Sequence, residues 1–389
     1  MVSNNIGNAL KKYTMVIALV VIIGIFYVGT GGTILLSQNV NNLLSQNAYV
    51  FVLGTGMLLC ILTGGNIDLS VGSVIAFIGG IGAVLLSKGV NVWITVIIML
   101  LCGIAVGAWQ AFWVAYVNVP PFIVTLAGMY AFRGLANVVL NGYAVSISNT
   151  TFLNVFGGGA DCYIPDFFHG ENLNITCLLA GVLAVAVLVI VSLRNRVAAT
   201  RKGYETTGVG PFFAKLAILS VVILFLAYKL AGYKGVPTSL LWIILIVLAY
   251  HYVTTKTTIG RYLYAVGGNE KATQLSGINT NKVYFFAYTN MGFLAAFAGI
   301  LTVARAASAQ PTYGMFYEMD AIGACFIGGA SAYGGTGSVF GAIIGALLTG
   351  VINQGMLIMG VDANYQKVVK GLVLLAAVIF DVMSKREKK

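Results

Sequence analysis

Long apolar blocks, separated by short polar or glycine-rich breaks, run along most of this chain. Residues 14–36, 47–63, 69–87, 91–117, 121–140, 176–193, 213–231, 238–253, 284–304, 338–359 and 368–383 are each mostly apolar. A helix needs roughly 20 apolar residues to cross about 30 Å of hydrocarbon. The pattern therefore predicts an all-α polytopic transmembrane helical bundle of about ten spans. Broken or re-entrant helices are expected at residues 47–87 and 319–337, where glycine-rich runs interrupt the apolar pattern.

Two of those runs resemble each other. One reads Gly64-Gly65-Asn66-Ile67-Asp68-Leu69-Ser70-Val71-Gly72-Ser73, the other Gly328-Gly329-Ala330-Ser331-Ala332-Tyr333-Gly334-Gly335-Thr336-Gly337-Ser338. Both open on Gly-Gly after an apolar run and close on Gly-Ser before another. Gly103-x-x-x-Gly107 and Gly341-x-x-x-Gly345 form a weaker echo. The echoes suggest an internal duplication. They do not share one register, and a chain with 48 glycines produces such echoes by chance.

Composition sharpens the membrane reading. Apolar residues make up 59% of the chain and charged residues 8%, against about 25% charged in a soluble domain. So little charge cannot coat a globule in water. The net charge of +11 would suggest nucleic acid or acidic lipid, but its placement favours the positive-inside rule. Lys11 and Lys12 precede the first block, and Arg194, Arg196, Arg201, Lys202 and Lys215 flank one linker. Lys256, Arg261, Lys271 and Lys282 lie in another, and Lys385, Arg386, Lys388 and Lys389 form the tail. Residues 141–175 carry Asp161, Asp166 and Glu171 but no Lys or Arg. That segment is expected outside, as a periplasmic cap or a poorly ordered surface, and both termini inside. No cleavable signal is expected, because the first block is too long for an h-region. The whole of residues 1–389 reads as one membrane domain, with 255–283 as a second non-spanning segment on the inner side.

Candidate chemistry is sparse. His169 and His251 are the only histidines and sit in no catalytic setting. Gly208 to Lys215 only faintly suggests a phosphate loop and lacks the closing Gly-Lys-Ser/Thr, so no ATPase is expected in this chain. Cys162 and Cys177 both fall near the outer face, where they either pair or stay free, and no cysteine pair has metal-ligand spacing. Asp68 lies between apolar blocks. It reads either as a polar wall of a substrate path or as a cap on the following span, and Asn66 and Ser70 flank it. Arg133 either snorkels to the outer interface or pairs with a carboxylate inside the bundle. Trp109 and Trp113 share a helical face with Gln110 beside it, and Phe122 opens the next block. Flat aromatic faces with hydrogen-bonding groups suit a sugar, and equally an interfacial aromatic belt. Asn353 and Gln354, inside an apolar span, suit a polyol or the bonding of helices to each other.

The clearest local signal is Gly260-Arg261-Tyr262-Leu263-Tyr264-Ala265-Val266-Gly267-Gly268-Asn269-Glu270-Lys271-Ala272-Thr273-Gln274-Leu275-Ser276-Gly277-Ile278-Asn279. Asn269 can cap a short helix and Gly277 can end it. A helix so short, outside the membrane, has no core of its own and needs a partner surface.

This segment, taken with residues 64–73, resembles the sugar permeases of ATP-binding-cassette importers, in the ribose, xylose and multiple-monosaccharide branch. Further matches are Gly107-Ala108-Trp109-Gln110-Ala111-Phe112-Trp113-Val114-Ala115-Tyr116, Pro121 to Met129, and Lys370-Gly371-Leu372. The resemblance runs from about residue 40 to the C-terminus, and the extra length at 141–237 is similar to the xylose and multiple-monosaccharide type. Ala330-Ser331-Ala332-Tyr333 departs from the usual Thr-Ser-Leu-Ala. The resemblance implies a non-enzymatic permease subunit in a bacterial inner membrane, with no cofactor and no metal. Its partners would be two ATPase subunits, a periplasmic or extracellular sugar-binding protein, a second permease copy and membrane lipid, with no nucleic acid. Asn269, Glu270, Ala272, Leu275, Ser276 and Gly277 would form a coupling helix against the ATPase. Asn66, Asp68, Ser70, Trp109, Gln110, Trp113, Phe122, Asn353 and Gln354 are the candidates for the substrate pathway. The mechanism implied is alternating access driven by the ATPases. A secondary, ion-coupled sugar transporter is the alternative, with Asp68, Asp320 and Asp381 as its only eligible carboxylates.

Overall fold

The structure is a computed structural model and describes residues 2–204 and 208–386, apart from the side chains of 2–14, 380, 381 and 384–386. Lys11, Lys12, Asp381 and the tail cations Lys385, Arg386, Lys388 and Lys389 therefore lie outside the described side chains.

Among the described residues, almost all regular structure is helical. The chain enters through α1 (Val2–Gly29), α2 (Ser37–Gln46) and α3 (Ala48–Leu62), breaks, and resumes as α4 (Val71–Ser87), α5 (Val92–Ala115) and α6 (Pro121–Leu140). A capping segment holds β1 (Val145–Ser146) and α7 (Thr150–Phe156). Then come α8 (Ile175–Arg201), α9 (Val209–Ala231), α10 (Thr238–Lys256), α11 (Thr258–Gly268) and the six-residue α12 (Glu270–Leu275). The last part is α13 (Thr280–Ala306), β2 (Ser308–Ala309), α14 (Tyr317–Ile327), α15 (Val339–Ile358) and α16 (Ala363–Arg386).

Among the described residues, seven helices are long and apolar enough to cross a membrane alone: α5, α6, α8, α9, α10, α13 and α15. α2 and α3, bent by 42° at their break, pass the same test only as a pair, which gives up to eight spans by length and composition. Shorter apolar helices, Met15–Gly29 within α1 and all of α4, occupy two more of the apolar blocks. The chain is thus a multi-pass helical membrane protein. α14 has 11 residues, about 16 Å at 1.5 Å per residue, and cannot cross alone.

Burial separates a centre from a periphery. All fifteen residues of α3 are buried, consistent with a helix that is apolar on every side. In α13, 72% of the apolar window is buried, against 11% in α8 and 6% in α9. Close packing at the centre depends on small residues. Gly103 and Gly107 of α5 meet Gly292 of α13 backbone to backbone, and Gly341 and Gly345 of α15 do the same against α14. α8 and α9 pair with each other and stand at the edge.

Residues 141–175 fold back onto the bundle. Val145 pairs with Ala309 and Ser146 with Ser308 in a two-stranded antiparallel sheet. Phe152 and Phe156 of α7 are buried, and Phe156 stacks on Trp242 at 5.6 Å. Asp166 is the hub of the second half. Desolvation lifts its carboxyl, but N–H groups of Gly170, Thr176, Ile175 and Phe168 outweigh that and hold it well below the usual carboxylate range. Cys162 and Cys177 are buried and unbonded.

Candidate functional site

α12 is held out from the bundle as a rigid knob. The Asn269 side chain accepts from the Ala272 N–H at 3.0 Å, and Gly277, at φ 81°, ends the helix in the left-handed region. Tyr284 donates to Glu270 at 3.1 Å, and Gln274 donates to the Thr280 hydroxyl at 3.0 Å, pinning the knob to α13. Ala272, Ser276 and Gly277 face solvent. Leu275 is 90% exposed. A single exposed leucine is ordinary, but this one tips a helix whose opposite side is already tied down.

Directly before α12, the end of α11 meets both glycine-rich breaks. The Gly335 N–H donates to the Leu62 carbonyl at 3.1 Å. The Gly267 backbone lies against the same two groups, so closely that a Cβ on Gly267 would overlap the Leu62 oxygen and the Gly335 nitrogen. Across the junction Gly65, at φ 79°, faces the Ala332 carbonyl with no room for a Cβ. The two similar motifs thus fold against each other and against the root of the knob mainly through main chain, with the Tyr264 hydroxyl of α11 also donating to the Gly337 carbonyl at 2.9 Å. Bulkier residues would hold the three backbones apart.

The sequence-selected polar residues separate into three places. Asp68, Ser70 and Gln110 form one buried chain. Asp68 accepts from the Ser70 N–H at 2.8 Å and from the Ser70 hydroxyl at 2.7 Å, and Gln110 donates to that hydroxyl at 2.6 Å. Asp68 therefore closes the turn before α4 and does not cap the N–H groups inside it, which corrects the cap reading. Asn66 sits half-buried beside this chain, with its amide on the Thr63 carbonyl.

Trp109, Trp113 and Phe122 lie elsewhere, at 45%, 38% and 53% exposure on the outside of the bundle. The two indoles meet edge to face at 6.4 Å. Gln110, about 100° further round the helix, points inward to Ser70, so a single Trp–Gln–Trp cluster does not form. Asn353 and Gln354 are near the opposite end of α3, where Asn353 donates to Asn47 at 3.3 Å. The Gln354 carbonyl is buried without a partner among the described residues.

Asp320, weighed from the sequence only as an ion-coupling carboxylate, has partners that the sequence did not announce. Asp320 is 2% exposed and takes Lys370 at 2.9 Å and the Tyr49 hydroxyl at 2.6 Å on one oxygen. Tyr49 stacks on Tyr317 with ring centroids 3.5 Å apart. The available signal was Lys370, a lone cation in an apolar block, since such a residue needs a partner. Arg133 takes neither expected place: it donates to the Pro311 and Tyr313 carbonyls at 2.6 and 2.7 Å. It thereby holds the chain between α13 and α14, where no helix satisfies those oxygens.

Apolar helices packed on a wholly buried centre, broken twice, with a small helix presented outside, define a multi-pass membrane permease. The chain belongs to the family described as branched-chain amino acid transport system / permease component, whose profile matches residues 39–210 and 167–378. It is 38% identical to the xylose transport system permease protein XylH of Haemophilus influenzae over 97% of this chain and 98% of that one. It is 36% identical to XylH of Escherichia coli K12, over 97% and 93%. The ribose import permease protein RbsC of Escherichia coli K12 is 36% identical over 88% of this chain and 85% of its own. No solved structure matches.

Proposed function

We propose that this chain is the membrane subunit of an ATP-binding-cassette importer for a monosaccharide, of the xylose class, working by alternating access. ATP is hydrolysed on separate subunits that grip α12, and the sugar arrives on a binding protein at the capped end. Two copies of the chain pair in a bacterial inner membrane, with α12 and both termini inside and residues 141–175 outside. The whole chain acts as one permease domain. The coverage of both xylose permeases supports the substrate class.

The observation that carries the mechanism is the backbone junction of Leu62, Gly267 and Gly335. A push on α12 reaches the two broken helices through backbones in direct contact, with the Tyr264–Gly337 hydrogen bond beside them. Asn66, Asp68, Ser70 and Gln110 are the pathway residues nearest that junction. Trp109, Trp113 and Phe122 serve the face toward lipid or the second copy, and Asn353 and Gln354 serve the other end of α3. The ion-coupled alternative wants a free buried carboxylate, and Asp68 and Asp320 are both engaged.

The test is uptake of labelled D-xylose into vesicles holding the permease, its ATPase and its binding protein. Uptake should require ATP and should fall at least tenfold in Leu275→Asp. Uptake driven by an ion gradient without the ATPase overturns the proposal.

A further inference from the structure

At the end of the bundle away from α12, the start of α3 and the end of α13 enclose a cavity of about 230 Å³. Its chemistry comes from Gln46, Tyr49, Thr302, Arg305, Tyr313 and Tyr317. None of these was selected from the sequence, and none belongs to the Asp68 chain, which is buried at the other end of α3. The geometry points to a sugar-receiving subsite here for a neutral monosaccharide, the first position on the permease after release from the binding protein. This rests on the proposed function.

Three features carry it. First, the walls are built before any ligand arrives. Tyr49 is fixed by Asp320, itself paired with Lys370, and stacks on Tyr317. Arg133 fixes the backbone leading into Tyr313 through the Pro311 and Tyr313 carbonyls, and the Tyr313 hydroxyl meets Ser308 at 3.0 Å. A preorganised wall lowers the ordering cost of binding. Second, polar groups remain free to receive hydroxyls. The Gln46 amide, the Arg305 guanidinium and the Tyr317 hydroxyl have no hydrogen-bond or ion-pair partner among the described residues. Third, the composition matches a sugar's two sides: phenol rings meet C–H faces, while an amide, a hydroxyl and a guanidinium meet the O–H groups. No carboxylate lines the cavity. Its size suits one small polyol rather than a chain of them.

The experiment has two arms. In nanodiscs holding the permease alone, Thr302→Cys is labelled with a maleimide, with the wild-type chain as background. D-xylose at millimolar concentration should slow labelling at least threefold. In the full complex, Gln46→Ala and Arg305→Ala should each raise the half-saturating xylose–binding-protein concentration for uptake at least threefold. Protection together with raised half-saturation supports the subsite. Unprotected labelling and unchanged half-saturation in a complex that transports normally overturn it. Protection by D-glucuronate but not by D-xylose also overturns it, because the class would then be a sugar acid. A wild-type complex that imports no monosaccharide on ATP sinks the proposed function instead, and the labelling arm, which needs no ATPase, reads the cavity separately.

Discussion

The break after α3 and the break around α14 each place a carboxylate inside the bundle, and they stabilise it by different means. Asp68 is held by Ser70, a neighbour two residues away, whose hydroxyl in turn takes a neutral amide from α5. Asp320 is held by a cation on α16 and a phenol on α3, 50 and 271 residues distant. The first is a local turn that one added hydrogen bond ties to a second helix. The second is a tertiary clamp joining three helices. A turn can be displaced with its own backbone, whereas a clamp fixes elements to one another. The region nearest the knob is therefore tied mainly by short-range bonds, and the region at the capped end by bonds between helices.

The largest test of that contrast is Lys370→Met. It strands a buried carboxylate, which typically costs about 3–5 kcal/mol, and thermal unfolding in detergent should register the loss. Lys370→Met combined with Asp320→Leu should recover most of it. If the single change left the melting temperature unaltered, the clamp would be ornamental.

Next is the junction that links the first break to the knob. Gly267→Ala forces the Leu62 carbonyl and Gly335 apart, on the order of 1–3 kcal/mol of overpacking. We expect ATP hydrolysis by the complex to continue while xylose uptake drops at least tenfold. Proportional loss of both activities would place the defect in assembly rather than in transmission.

A smaller effect belongs to Gln110→Ala, which removes one neutral hydrogen bond from the Asp68 chain, about 1 kcal/mol. Its melting temperature should shift far less than that of Lys370→Met, and a shift equal to it would erase the distinction between turn and clamp.

The mildest lies in the cap. The folded state holds Asp166 below its usual carboxylate value, so the cap's stabilisation is complete above the usual carboxylate range. It disappears as pH falls through the lowered value. Amide exchange at Phe168, Gly170, Ile175 and Thr176 should accelerate only at strongly acid pH, and at neutral pH in Asp166→Ala. Exchange that rises between pH 8 and pH 6 would point to a different group.

Much of this was legible in the chain. The block pattern yields the helices because hydrophobic length is a local property of sequence, and α12 is bounded where its Asn and Gly stand. The glycine-rich runs mark the breaks for the same reason. The site residues were harder. Trp109 and Gln110 are adjacent in sequence and point to different surroundings, since a helix turns about 100° per residue. Asp320 looked like a residue near a span end, because nothing in its own segment announces Lys370 or Tyr49.

What the sequence settled by itself is therefore the solvent in which this protein lives, the run of its helices and the form of its exposed knob. Each follows from composition over a few consecutive residues. The folded arrangement alone decided that the two glycine-rich runs close on one another, that Arg133 serves a neighbouring backbone, and that three tyrosines wall one cavity. Those are meetings between segments far apart along the chain, and the packing of whole helices selects the partners.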